Sequence, residues 1–210
     1  MSLGPRLHRI VARIGELFAN VTHARWKLGS AGVKGSAAKL GRNVRATRNG
    51  ARVRKMPQGL ESEVELRQAG AIAYRVSGGR LKVLLATTRE TKRWIIPRGN
   101  IADGLTPSET AAKEAFEEAG VRGELSEAPL GRYAYRKRLK KNRFATAVVD
   151  VYLLHATRRA RAWPEQDERT VKWLPIDEAS RLVEEKALAS LLRRLMRVQD
   201  EIISAAANMR

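Results

Sequence analysis

The 210-residue chain carries 41 Lys and Arg against 22 Asp and Glu, a formal charge of +19, with 43% hydrophobic residues and no Cys. That hydrophobic fraction excludes a wholly disordered or collagen-like chain, and the missing cysteines exclude disulfides, thiolate nucleophiles, iron–sulfur clusters and Cys-held zinc. Three His (His8, His23, His155) are too few for a His-built metal centre, so any metal here is held by oxygen, which points to magnesium, manganese or calcium.

The charge is uneven. Residues 1–58 hold thirteen basic side chains and one acid, Glu16, for a net +12, whereas residues 59–210 carry a net +7. Met56-Pro57-Gln58-Gly59 falls at the change, and the pattern predicts a basic N-terminal extension over 1–58 followed by a domain over 59–210. Within the extension, Leu7, Ile10, Val11, Ile14, Leu17, Phe18 and Val21 recur at helical spacing as one apolar stripe. Beyond about Lys27 the chain turns to Gly, Ala and Ser with scattered Lys and Arg, the composition of a flexible tether. Nucleic-acid contact, peripheral contact with an anionic membrane, organelle targeting, a docking helix and a dispensable extension are all open readings of this segment. A natural start at Met56 is another. No run reaches the roughly 18 apolar residues of a membrane span, and charges interrupt every candidate secretory core. The expectation is a water-soluble cytoplasmic chain, or a mitochondrial one if the source is eukaryotic, whose partner is anionic.

From Gln68 the pattern is that of an α/β domain. Ala69–Val76 and Leu81–Thr88 read as strands joined by a hairpin at Ser77-Gly78-Gly79-Arg80. Trp94-Ile95-Ile96 is a third short apolar run, stopped by Pro97. A helix is predicted from about Thr106 to Gly120, then strands at Gly131–Tyr135, Phe144–Leu154 and Val171–Leu174. Helices follow over Asp177–Val183 and Ala187–Ala205, the last with a stripe of Leu188, Leu191, Leu192, Leu195, Val198 and Ile202.

The helix after Thr106 carries the chemistry. Thr106 with Glu109 makes a capping box, Pro107 takes the first helical position, and Gly120 ends the helix. At about 100° per residue, Glu114, Glu117 and Glu118 share roughly a third of the circumference, with Ala112, Ala115, Phe116 and Ala119 expected to face the core. Three carboxylates on one arc repel one another, and a divalent cation relieves that conflict. A solvated acidic face would give the same spacing, so the context must decide.

Gly99 to Val121 resembles a Nudix box: Gly99, Glu114, Glu117, Glu118, Gly120 and Val121 match that family's pattern in register, with Ala115 at an aliphatic position. The resemblance extends over about residues 68–205. It implies an α/β/α sandwich with a mixed sheet, here with the basic helix and tether added. It also implies a metal-dependent hydrolase of phosphoanhydrides in which a diphosphate is linked to another group. Mg2+ or Mn2+ would be held by Glu114, Glu117, Glu118 and the Gly99 carbonyl, with Glu114 also the base. A downstream acid, Glu165, Asp167 or Glu168, would complete the site. Two positions depart from the pattern: Leu105 stands where the box has its first Glu, and Lys113 replaces the box Arg. Lys113 keeps the charge but loses the planar fork, and Glu109, four residues earlier, is a candidate partner for it. These departures raise a non-catalytic nucleotide-binding module as one alternative.

Seven of the twelve residues from Arg132 to Arg143 are basic, so Arg136, Lys137, Arg138 and Lys140, with Arg98 beside the box glycine, are the candidate substrate anchors. Trp94-Ile95-Ile96-Pro97-Arg98-Gly99 and Trp163-Pro164-Glu165 resemble bacterial relatives of diphosphoinositol polyphosphate phosphohydrolases. The expected substrate is a polyphosphorylated small molecule such as a diphosphoinositol polyphosphate or a dinucleoside polyphosphate. Pyrophosphate removal from RNA 5′ ends, using the basic extension, is the other alternative.

Overall fold

A two-residue turn at Gly78-Gly79, both with positive φ (60° and 68°), joins β1 (Glu65–Ser77) to β2 (Arg80–Thr87). Glycine takes such a conformation without the clash a Cβ brings, and this turn matches the twist of its strands. The computed structural model describes residues 65–139 and 143–207; the predicted amphipathic helix, the tether and Lys140 lie outside the described residues.

Strand β1 is the centre of an eight-stranded mixed sheet. It pairs antiparallel with β2 from Tyr74↔Val83 to Ser77↔Arg80 and with β4 (Arg98–Asn100) from Gln68↔Asn100 to Gly70↔Arg98. Its other side runs parallel to β7 (Phe144–Arg159), from Glu65↔Thr146 to Tyr74↔His155. Two strands line the far side of β7 in succession, β6 (Gly131–Arg138) and then β5 (Val121–Leu125), while β3 (Trp94–Ile95) and β8 (Val171–Pro175) pair with β2.

Alternation along β1 divides the interior into two cores. Ile72 and Tyr74 join Val149, Val151 and Leu153 beneath the C-terminal helices α2 (Ile176–Leu182), α3 (Lys186–Met196) and α4 (Gln199–Ala207). Ala69, Ala71 and Ala73 point the other way, into a core shared with Ala111, Ala115 and Ala119 of α1 (Pro107–Ala119). Small residues on both surfaces let α1 lie close to the sheet. This alanine seam fixes the rotation of α1 and corrects the expected core face: Ala112 is exposed, and Phe116 is half-buried beneath the Arg122 guanidinium, 3.9 Å from its ring centroid. The same rotation turns Glu118 inward.

Both ends of α1 follow the sequence reading. The Thr106 side chain accepts from the Glu109 N–H, the Glu109 carboxylate accepts from the Thr106 N–H at 2.8 Å, and Gly120 caps the helix at φ 69°. Thr106→Ala should therefore lower stability by about 1 kcal/mol, read in a urea or thermal melt; an unchanged midpoint would show that the cap is energetically idle. Beyond it, the single predicted helix over Ala187–Ala205 is two. Arg197 and Val198 make i→i+3 bonds to Arg194 and Leu195, a tightened turn that separates α3 from α4 while Ile202 stays buried. Among the described residues no helix is long and apolar enough to cross a membrane.

Candidate active site

Strand β4 places the site. Short and polar, it gives no periodic signal of its own; pairing with β1 holds it, continued by the Ala71 N–H to the Pro97 carbonyl at 3.0 Å. Its central residue, Gly99, lies under the Glu114 carboxylate. A Cβ there would stand 2.1 Å from Glu114 Oε1, so only glycine allows the approach. The neighbouring Arg98 N–H donates to Glu118 Oε2 at 3.2 Å. One end of a three-residue strand thus touches two of the three box carboxylates.

The third, Glu117, turns outward and pairs with Lys113. Lys113 therefore finds its partner one turn ahead, not in Glu109, whose carboxylate is engaged in the cap. The Glu117 carbonyl accepts the Glu165 N–H at 3.0 Å. Trp163 packs on Gly120, where a Cβ would meet its ring at 2.5 Å, and the Ala160 N–H reaches the Gly120 carbonyl at 2.8 Å. The segment after β7 is in this way pinned along α1, and it delivers Glu165 to the acidic face. Among the three downstream acids Glu165 is the one brought there; Asp167 is exposed, and Glu168 is exposed and paired with Arg89 at 2.8 Å.

Burial and mutual repulsion dominate the electrostatics. Glu118 is 3% exposed, and its carboxyl is pushed up to about 8, first by burial and then by Glu114 and Glu165, against the pull of Arg169 and the Arg98 N–H. Burial also raises the Glu114 carboxyl, with Glu117 and Glu165 adding to it and Lys113 opposing. For Glu165 burial acts upward too, but hydrogen bonds from Arg89 and Arg169 together hold it below its ordinary value. Among the described residues no three acidic side chains already converge as metal ligands, and Glu117, Glu118 and Glu165 are paired with Lys113, Arg169 and Arg89. The donor chemistry nevertheless fits a hard divalent ion. Glu114 lies against Gly99 and Glu118 on the adjoining Arg98 N–H, with Glu165 in electrostatic reach of both, and added positive charge would favour their ionised forms.

The expected anchors separate. Arg98 does not face an open cleft: it is 7% exposed, and its guanidinium is bidentate to Glu185 at 2.5 and 2.7 Å, bonded to the Tyr133 hydroxyl and stacked 4.0 Å over the Tyr135 ring. Residues 131–138 form strand β6, three residues longer than the predicted Gly131–Tyr135, so successive side chains through Arg138 alternate between faces. Arg136 and Arg138 are exposed on the α1 side, where Arg136 stacks 3.9 Å over Phe144. Lys137 points the opposite way and is half-buried, its Nζ 3.4 Å from Asn100 Oδ1. Burial and Arg98 lower the Lys137 ammonium, while Glu114 and Glu118 draw it up. Gln68, buried at 2% exposure, joins Asn100 at 2.9 Å and the Tyr135 hydroxyl at 2.9 Å to floor the same region.

Arg169, Glu185 and Gln68 escaped the sequence reading. Gln68 left one signal, an amide at the head of an alanine-rich strand. Arg169 left only its i,i+4 spacing from Glu165, and Glu185 left none, since Glu118 and Arg98 lie 51 and 87 residues from them in sequence.

The family model for the NUDIX domain matches residues 66–196. "Nudix hydrolase 13, mitochondrial" of Arabidopsis thaliana is 32% identical over 127 residues, covering 58% of this chain and 63% of that protein. The Bos taurus "Diphosphoinositol polyphosphate phosphohydrolase 3-beta" is 26% identical over 120 residues, 56% of this chain and 69% of that protein. The match spans about three fifths of the length of the Arabidopsis relatives. A NUDIX hydrolase from Nitrosomonas europaea superposes with a TM-score of 0.52 at 15% identity, over 65% of this chain and 91% of that one, a likeness of fold.

Proposed function

The chain belongs to the Nudix family, and on that premise we propose that it is a magnesium- or manganese-dependent hydrolase cleaving a phosphoanhydride in a highly phosphorylated small molecule. The observation that carries this reading is the packing of Glu114 against Gly99 and of Glu118 on the Arg98 N–H, two box carboxylates gathered on one short strand. A bound divalent ion would supply charge neutralisation at the phosphate oxygens and favour ionised water. The rest falls to the chain. Glu118 and Glu165 present carboxylate oxygens to the cation, and Lys137 draws a substrate phosphate as a point charge. Glu114, with its raised carboxyl, takes the proton of the attacking water at a carboxylate oxygen. The water oxygen forms the new bond to phosphorus, the bridging P–O bond breaks, and the released phosphate carries away the electron pair.

The basic side chains of β6 and the likeness to a diphosphoinositol polyphosphate phosphohydrolase support substrates dense in phosphate, dinucleoside polyphosphates included. The cytosol is the compartment that goes with this reading, and residues 1–58 are the candidate contact for nucleic acid. Phosphate release by the full chain with Mg2+ or Mn2+ tests it, on a panel of diphosphoinositol phosphates, dinucleoside polyphosphates, ADP-ribose, nucleoside triphosphates and triphosphorylated RNA. EDTA should abolish turnover, and Lys137→Glu should raise KM most for the most phosphorylated substrate. Turnover confined to RNA and lost on removing residues 1–58 would replace this reading with an RNA-end enzyme. Binding without turnover on every member would make the chain a binding module.

A further inference from the structure

Arg169 stands in the turn before β8 with its side chain 8% exposed, and all three guanidinium nitrogens are engaged. Nη2 donates to Glu118 Oε1, Nε to Glu165 Oε2 at 2.5 Å, and Nη1 to the Thr87 carbonyl at 2.8 Å. The backbone around it is fixed at both ends. Glu165 N–H is bonded to α1 through Glu117, and the Thr170 N–H donates to Thr87 Oγ1 at 3.0 Å while its carbonyl accepts the Thr87 N–H at 3.0 Å. The arginine therefore arrives on a rigid stem, and its fork spans the two carboxylates that α1 and the downstream turn bring together.

A donor that occupies the oxygens of two crowded carboxyl groups excludes a metal cation from the same oxygens. We infer that Arg169 is a built-in counter-ion of the carboxylate site, holding Glu118 and Glu165 in the ion-free protein and giving up Glu118 when a divalent cation binds. Its bond to the Thr87 carbonyl lies outside the carboxylate pair and keeps the side chain nearby after the exchange. The planar fork matters here, because a lysine ammonium could not engage both carboxylates and a carbonyl in one plane. The site's affinity for its ion is then set by a competition inside the chain. This inference rests on the reading of the site as a divalent-ion site.

The test is Mn2+ binding by the full chain after EDTA treatment and dialysis, followed as loss of the free-ion electron paramagnetic resonance signal, for the parent, Arg169→Gln and Arg169→Lys. The expected result is a Kd at least about 10-fold tighter in Arg169→Gln, the scale of one charged hydrogen bond removed from the competing state. Arg169→Lys should fall between the two. The ion-free Arg169→Gln protein should melt lower than the parent, and Mn2+ should restore more of its midpoint. In the parent itself, the Arg169 side-chain N–H resonance should shift on adding diamagnetic Mg2+, a reading that survives even if the variants fail to fold. Unchanged or weaker Mn2+ binding in Arg169→Gln, or an Arg169 resonance that Mg2+ leaves in place, overturns the inference alone. Mn2+ binding by neither parent nor variants overturns the divalent-ion reading as well.

Discussion

Glu118→Gln should lower kcat by about 10²–10³-fold with Mg2+ or Mn2+, the effect of deleting one charge-stabilising group from a preorganised site. The substitution keeps the shape and the hydrogen-bond acceptor facing the Arg98 N–H, but removes the negative charge at the best-enclosed point of the site. It should also change how stability depends on pH in the ion-free protein. In the parent the Glu118 carboxyl is pushed up to about 8 from an ordinary value of 4.5, chiefly by burial. Between those two values the folded chain holds a proton that the unfolded chain releases. This group's contribution is therefore complete below about pH 4.5 and is lost as pH rises through about 8. Urea melts in EDTA from pH 5 to pH 9 should show that decline in the parent and a flatter line in Glu118→Gln. Parent-like turnover in the variant would remove Glu118 from the chemistry, and parallel pH profiles would locate the proton elsewhere.

Glu185→Leu should cost about 3–5 kcal/mol, because it strands a buried guanidinium. Arg98 is 7% exposed and the Glu185 side chain 11%, and their bidentate contact joins the helical layer on one face of the sheet to the strand that presents Arg98 N–H and Gly99 to α1. Removing both charges in Arg98→Met/Glu185→Leu should recover most of the loss, since the penalty lies in the unpaired charge. The double variant that recovers stability is expected to show reduced kcat with little change in KM, the signature of a pair that acts by positioning β4. A double variant as unstable as the single would show that the cost is one of packing, and a raised KM would return Arg98 to the role of substrate anchor.

Local structure was legible wherever the signal was itself local. The Gly78-Gly79 turn, the capping box at Thr106 and Glu109, the Gly120 stop and the spacing of Glu114, Glu117 and Glu118 all depend on residues within a few positions of one another. Strands β4 and β5 were not legible. The first is three residues held by β1, and the second contains an irregularity between Arg122 and Gly123 that only its pairing with β7 imposes. α1 buries Ala111, Ala115, Glu118 and Ala119 and not Ala112 or Phe116, because the alanine seam supplied by β1 sets the rotation and periodicity within α1 alone does not.

The opening balance of +19 and no cysteine already pointed to an anionic partner and to oxygen-held metal, and the order of residues from Gly99 to Val121 named a chemistry. Which charge does what was decided by tertiary structure. β6 is a strand, so its basic residues divide by alternation: Lys137 turns to the face that holds Asn100 and Gln68, while Arg136 turns to the α1 face and stacks on Phe144. Arg98, adjacent to the box glycine, is drawn inward by Glu185, and Arg169, 51 residues from Glu118, supplies the planar fork that Lys113 cannot. A sequence records how many charges a chain has and how they are spaced along it. Only folding brings distant charges within a few ångströms and removes the water between them, and at that range pairing and burial decide their roles.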